Sequence, residues 1–374
     1  MPMAVCHGQT VIQFLEAFAP KHLAVPDDRI GLQVGTLEKP VRRVMIALDV
    51  LEPVVDEAIA KGVDLIIAHH APIFRPLTAL RTDLPQGRLL AKLIRHDIAV
   101  YVAHTNLDVA PGGINDLMAE RLGLLDTEVL DPLYEEKLKK IVVFVPKTHH
   151  RQVLDAMAEA GAGWIGNYSH CTFNVEGTGT FLPREGANPF IGQPGKLETV
   201  EEIRLETIVP EPLLKRVIQA MLKAHPYEEV AFDVYPVENA GRVYGLGRMG
   251  KLPEPLSLRA LAEKVKEAFA VSAVRVVGDL DRQVETVAVL GGDGNKFVAK
   301  AARRGADVLI TGDVYYHTAH DALALGLALI DPGHNVERIV KDALRARLAE
   351  ELRRAGYATE VIASELSTDP FRFV

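Results

Sequence analysis

The chain has 374 residues, 48% of them apolar and 6% aromatic, with a formal net charge of -8. That length exceeds what one hydrophobic core serves, so two or three domains are expected. Its two cysteines, Cys6 and Cys171, exclude a disulfide framework. The acidic balance opposes non-specific nucleic-acid binding. No basic-then-apolar leader opens the chain and no apolar run reaches membrane-spanning length, so a cytoplasmic protein with no membrane partner is expected.

In chain order, apolar periodicity predicts an amphipathic helix around 11–15, then strands at 44–48, 63–68 and 98–103, with helices at 88–96 and 115–122. Near 133–140 the composition turns charged and a different unit begins. It carries a strand at 141–146 and a helix at 150–160, strands at 172–175 and 178–182, then a strand at 204–210, a helix at 211–223 and a strand at 230–235. Pro146 and Pro210 punctuate the two strand-to-helix passages, where proline sacrifices no needed hydrogen bond. Two such halves predict a ferredoxin-like α+β insert. From Arg242 the α/β rhythm resumes, ending in a helix over 336–354 with a solvated Arg/Glu face. The fold class is therefore α/β: a discontinuous core of 1–132 and 242–374, with an inserted domain at 133–241.

The chemistry gathers at strand ends. The run Val63–Ala68 stops on His69 and His70, and the next apolar run stops on His104, with Asp108 shortly after. Residues 328–330 lead into Asp331-Pro332-Gly333-His334-Asn335-Val336-Glu337. Adjacent residues of an extended chain point to opposite sides, so His69 and His70 suit two neighbouring ions better than one. His334 and Glu337 share a face if a helix starts after Gly333. Asp108 and Glu337 have two oxygens each and can bridge. Imidazole and carboxylate without thiolate suit two divalent ions of Zn, Fe, Mn or Co.

Weaker signals lie nearby. Gly291, Gly292 and Gly294 come after the strand at 287–290 and would open a helix, offering N–H groups to a phosphate; a plain tight turn explains them equally well. Asp313 and His317 suit a proton relay or support for the metal ligands, or else a capped helix start with an exposed His. His149, His150 and His320 read as solvated.

The strings Gly31-Leu32-Gln33-Val34-Gly35, Ala68-His69-His70, His104-Thr105-Asn106-Leu107-Asp108, Thr311-Gly312-Asp313 with His317, and Asp331 to Glu337 resemble the Nif-three-like family, the GTP cyclohydrolase 1 type 2 homologues. The resemblance spans nearly the whole chain. It includes Gly177-Thr178-Gly179-Thr180-Phe181 and His225-Pro226-Tyr227-Glu228-Glu229-Val230, which look like the longer bacterial members. It implies a two-metal centre, a toroidal homohexamer and an insert similar to a PII or CutA module. By motif match the family's ligands fall on His69, His70, Asp108, His334 and Glu337. Two departures are visible: Ala71 separates the His pair from Pro72, which bears on the loop over the metals. The usual aromatic is missing around Asp27-Asp28-Arg29, which bears on packing alone.

Two ions sharing a water support hydrolysis of a phosphoester, an amide or a purine ring carbon. In the cyclohydrolase reading a guanine ring is opened at C8, with His104 or His317 transferring protons. The competing readings are a metal-dependent phosphodiesterase and a metal-binding regulatory or scaffold protein that senses a small ligand.

Overall fold

The computed structural model describes residues 4–374. They divide into two compact units, one running to Tyr134 and resuming at Tyr244–Val374, the other Glu135–Val243.

The first unit holds two main sheets. In one, the strands Glu360–Ala363, Arg43–Ala47, Leu65–Ala68 and Ala99–Val102 run parallel in that spatial order, with Gly31–Val34 antiparallel at the edge. These strands are nearly continuous Val, Ile and Ala because helices cover both faces of a parallel sheet. Ala47 lies beside Ala68, and Ala68 beside Val102, so three strands stop in line. In the other sheet Ala328–Asp331, Val308–Gly312 and Gln283–Asp293 are parallel neighbours, flanked by Arg275–Val277 on one side and by Val243–Ser257 and Leu125–Glu135 on the other. The helix Ile339–Arg354 turns Ile339, Val340, Leu344, Leu348 and Leu352 into the core, while Arg353 and Arg354 pair with Glu350 outside. Its solvated Arg/Glu face is as read from sequence.

Three expectations change. The strand predicted to stop at Leu290 continues through Gly291 and Gly292 to Asp293. Beyond it the chain makes only a short 3₁₀ turn, Asn295–Phe297, and a six-residue helix. The C-terminal α-helix starts at Ile339, not 336, because His334–Arg338 is wound as a 3₁₀ turn.

In the second unit the order is strand, helix, two strands, helix, strand. An antiparallel sheet sets Phe232–Pro236, Leu138–Pro146, Glu198–Pro210 and Thr172–Phe181 side by side. The helices His150–Glu159 and Leu214–Ala224 contribute Val153, Met157, Val217 and Met221 to a core with Ile141, Val143, Val145, Leu205 and Val209. The two strands predicted at 172–175 and 178–182 are one, Thr172–Phe181, since Glu198–Pro210 pairs along its whole length. The helix predicted from 211 begins as a 3₁₀ turn, Glu211–Leu213. No helix of the described residues is long and apolar enough to cross a membrane.

Candidate metal centre

The aligned ends of three parallel strands place Asp49, the His69-His70 pair and His104 along one edge of the first sheet. Ligand sites of open α/β sheets favour this carboxyl edge. Directly after His104 the short helix Thr105–Val109 turns Asp108 inward. The other sheet contributes Asp313, just past Val308–Gly312, and His334 with Glu337 from the 3₁₀ turn. Residues i and i+3 eclipse in a 3₁₀ turn, so His334 and Glu337 share a face even without the α-helix the spacing suggested.

Side chains from both sheets converge. His334 Nε2 is 3.3 Å from His70 Nε2. Glu337 Oε2 lies 3.1 Å from His70 Nε2, 3.2 Å from His334 Nε2 and 3.7 Å from His69 Nε2, and Asp108 Oδ1 is also 3.7 Å from His69 Nε2. Three overlapping triads result: His69 with Asp108 and Glu337, His70 with His334 and Glu337, and His69 with His70 and His104. Within each, the ligand atoms lie within 4.8 Å of one another, so these groups are positioned to hold a metal ion.

The test of fit is in the polar atoms. Among the described residues four buried side-chain N or O atoms have no hydrogen-bond partner, and three are here: His69 Nε2, Asp108 Oδ1 and Glu337 Oε2. Leaving such an atom unpaired costs about 1–3 kcal/mol. One cation between them removes all three penalties, and an imidazole-carboxylate set is what borderline divalent ions take.

Each imidazole is aimed by its far nitrogen. His69 Nδ1 bonds the Ala103 carbonyl at 3.0 Å, His70 Nδ1 bonds Asp49 at 2.7 Å, His104 Nδ1 bonds Asp28 at 2.8 Å, and His334 Nδ1 bonds Asp313 at 2.6 Å. Such partners fix tautomer and ring orientation and make the inner nitrogen more basic. Asp313 holds its aim with a left-handed backbone, φ 55°, which aspartate tolerates better than most residues. Asp49 and Asp28 are anchored by the hydroxyls of Thr368 and Thr105.

These contacts set the proton affinities. Burial raises the Asp108 carboxyl to about 6, helped by Glu337's charge and opposed by His69. Burial acts the same way on Glu337, but His69, His334 and His70 overcome it and hold this carboxyl well below the usual range. Burial opposes charge on His70 too, yet Asp49 and Glu337 bring it up to about 10; Glu337 and Asp313 bring His334 to about 9. A metal ion held here would compete with the protons on these imidazoles.

The five residues named from sequence as candidate ligands meet here, and His104 joins them. His317 does not: it is exposed on the helix Tyr316–Ala324, packed against Tyr316. His320 lies on the same helix, against Tyr316, and His149 and His150 belong to the other unit. Gly291, Gly292 and Gly294 are closely surrounded, Gly294 by the Thr311 side chain. A Cβ at Gly291 or Gly292 would stand 2.9 Å or 3.0 Å from Glu337 Oε1, and one at Gly312 would stand 2.8 Å from the His334 nitrogen. Gly291 N–H donates to Asn115, whose amide also donates to the Asp108 carbonyl. Asp331, inside the motif, braces the turn by accepting from Gly333 and Val314 N–H. Sequence reasoning missed Asp49, which comes after a strand as the histidines do. It also gave residues 27–29 a packing role alone, whereas Asp28 holds His104.

Comparison with known proteins establishes the family. The family model Duf34/NIF3 (NGG1p interacting factor 3) matches residues 6–370. A protein of Halalkalibacterium halodurans named GTP cyclohydrolase 1 type 2 homolog is 57% identical over 372 residues, covering 100% of both chains. A Bacillus subtilis protein of the same name is 55% identical, covering 98% of this chain and 99% of its own. The crystal structure of a Bacillus cereus protein related to NIF3 superposes with a TM-score of 0.93 at 55% identity, covering 99% of this chain and all of that one. The chain belongs to the Duf34/NIF3 family.

Proposed function

We propose that this protein holds two divalent ions through His69, His70, Asp108, His334 and Glu337, with Glu337 shared between them, and hydrolyses a nucleotide. The observation that carries the reading is the trio of buried, unpartnered ligand atoms on His69, Asp108 and Glu337. When bound, such a pair of ions lowers the pKa of a water and neutralises charge developing on a substrate oxygen. The chain's own residues supply the rest. His70 and His334 are oriented by Asp49 and Asp313, and His104, held by Asp28, stands at the edge of the cluster as a proton carrier or further ligand. GTP is the first substrate to try, since the closely similar relatives carry the cyclohydrolase name. In that reaction water adds at C8 of guanine, the ring opens, and a second water releases C8 as formate. Any phosphate would meet the metal charge, because Gly291 N–H is committed to Asn115.

A metal-dependent phosphodiesterase uses the same residues. A regulatory or scaffold role is favoured by one observation: Glu135–Val243 has a core and a cavity of its own. We read that unit as a ferredoxin-like, PII- or CutA-like module interrupting the metal core. Exposed Trp164, Ile165 and Tyr168 on it support assembly, for which a toroidal homohexamer is the form to test.

Elemental analysis of protein purified without added metal should give close to two ions per chain, and fewer in His334→Ala. Metal-loaded protein given GTP should release formate, and Glu337→Gln should abolish it. Ester cleavage without formate selects the phosphodiesterase, and no turnover across metals and nucleotides selects the regulatory role.

A further inference from the structure

The Glu135–Val243 unit has a cavity of its own. Its helices cover one face of the sheet, against Ile141, Val143 and Val145, so alternation turns Phe144 to the opposite face. Arg204 pairs with Phe144 in register, and with Val175 on its other side; Glu202 lies opposite Gly177, two residues along. One face therefore presents Phe144, Glu202, Arg204, Gly177, Gly179 and Phe181. A cavity of about 670 Å³ opens over it, closed in by Phe190 and Tyr227. That volume suits a small organic ligand.

The two glycines shape the cavity floor. A Cβ at Gly177 would meet nothing within 4 Å, while one at Gly179 would overlap Glu202 Oε2. Glycine inside a strand weakens it and marks a place where something approaches closely. Here one glycine admits the Glu202 carboxylate and the other leaves the space beside it open. Glu202 is only 8% exposed and forms no ion pair among the described residues; its hydrogen bond is from the Tyr227 hydroxyl to Oε1, at 3.0 Å. Oε2 is left to accept from a ligand.

Charge and aromaticity then select the ligand class. Glu202, Glu228 and Glu229 line the cavity against Arg204, which is already paired with Glu206 at 3.2 Å, while Glu176 alternates to the other face and pairs with Lys147. An anionic ligand, nucleotides included, meets net repulsion. Tyr227 sits against Phe181 and Phe190, with ring centroids 5.9 Å and 6.3 Å apart, giving an aromatic wall beside the buried carboxylate. Aromatic faces and a desolvated carboxylate both attract an organic cation.

We propose that this cavity binds a small organic amine or guanidinium, its N–H groups donating to Glu202 Oε2 and its apolar body lying against Phe181, Phe190 and Tyr227. Its lining shares no residue with the metal centre.

The test uses three probes of one shape on the full-length protein: phenethylammonium, neutral phenethyl alcohol and anionic 3-phenylpropanoate, titrated by ligand-observed NMR. The cation should bind roughly tenfold more tightly than the alcohol, and the anion more weakly than either. Glu202→Gln should bring the cation down to the alcohol's affinity, whereas His334→Ala, which touches only the metal centre, should leave all three unchanged. Should Glu202→Gln fail to fold, Gly177→Val, which fills the open space from a strand position that accepts a β-branched residue, should abolish binding of the cation. Equal binding of cation and alcohol, preference for the anion, absence of cation binding, or loss of it in His334→Ala would each overturn the proposal.

Discussion

Every imidazole of the cluster is tied at Nδ1, so its Nε2 has only one thing left to do. The carboxylates behind the rings therefore matter nearly as much as the ligands. Replacing Asp49 by alanine should free His70 to rotate and weaken metal binding by roughly 10- to 100-fold, whereas Asp49→Asn keeps an acceptor and should lose less. Competition against a chromophoric chelator measures both; an Asp49→Ala protein that binds as tightly as the parent would show that His70 needs no such support. His69, His70 and His104 were legible because they end apolar runs, a pattern that names strand and edge together. Asp49 ends a run as well, but a single aspartate after a strand is so often a turn residue that nothing marks it. Asp28 lies 76 residues before its partner His104, and only the fold brings them together. His317 misled in the opposite way: it stands four residues after Asp313, yet the helix that starts at Tyr316 carries it out to solvent.

At the level of elements, the strand Gln283–Asp293 shows how one signal serves two readings. Glycines after an apolar run read as a turn exposing its amides, but here the strand bulges between Val289 and Asp293 before pairing again with Gly312, and the missing side chains make room for Glu337. Sequence distinguishes these poorly because both demand glycine for want of a Cβ. The two have separable consequences. Gly292 has φ 63° and little room, so Gly292→Ala should destabilise the protein by about 1–3 kcal/mol and displace Glu337, lowering metal content. Gly326 has φ 72° and nothing within 4 Å of a Cβ, so Gly326→Ala bears the backbone penalty alone and should keep its metal. Thermal denaturation with and without chelator separates them: chelation should lower the midpoint of Gly326→Ala as it does the parent's, and hardly that of Gly292→Ala. Equal metal content in the two variants would remove the packing role assigned to Gly292.

For the molecule as a whole, the alternation of strands and helices made the α/β class readable, since the period switches between 2 and 3.6 along the chain. The meeting of 69–108 with 334–337 was not readable from any local pattern; it rests on two sheets within one unit. The cores of the two units share no residue. Excising the segment between Tyr134 and Tyr244 and joining these ends by a short turn should therefore leave a folded, metal-binding protein. The ends are near neighbours, with the two tyrosine rings 5.9 Å apart. Circular dichroism and metal analysis check it, and insolubility across several linkers would show that the core depends on the insert.

The bond from Glu136 N–H to the Arg242 carbonyl, 2.9 Å long, fastens the two ends of the inserted segment together. During folding, a flexible chain between the two halves of the core would impose a loop-closure penalty that grows with its length. Once the segment has folded on its own, its clasped ends make it count as a tight turn, and Leu125–Glu135 can reach its sheet neighbour Val243–Ser257 almost as the arms of a hairpin do. Were the segment to fold first, the halves that carry His69 and Glu337 would search for each other over a short tether.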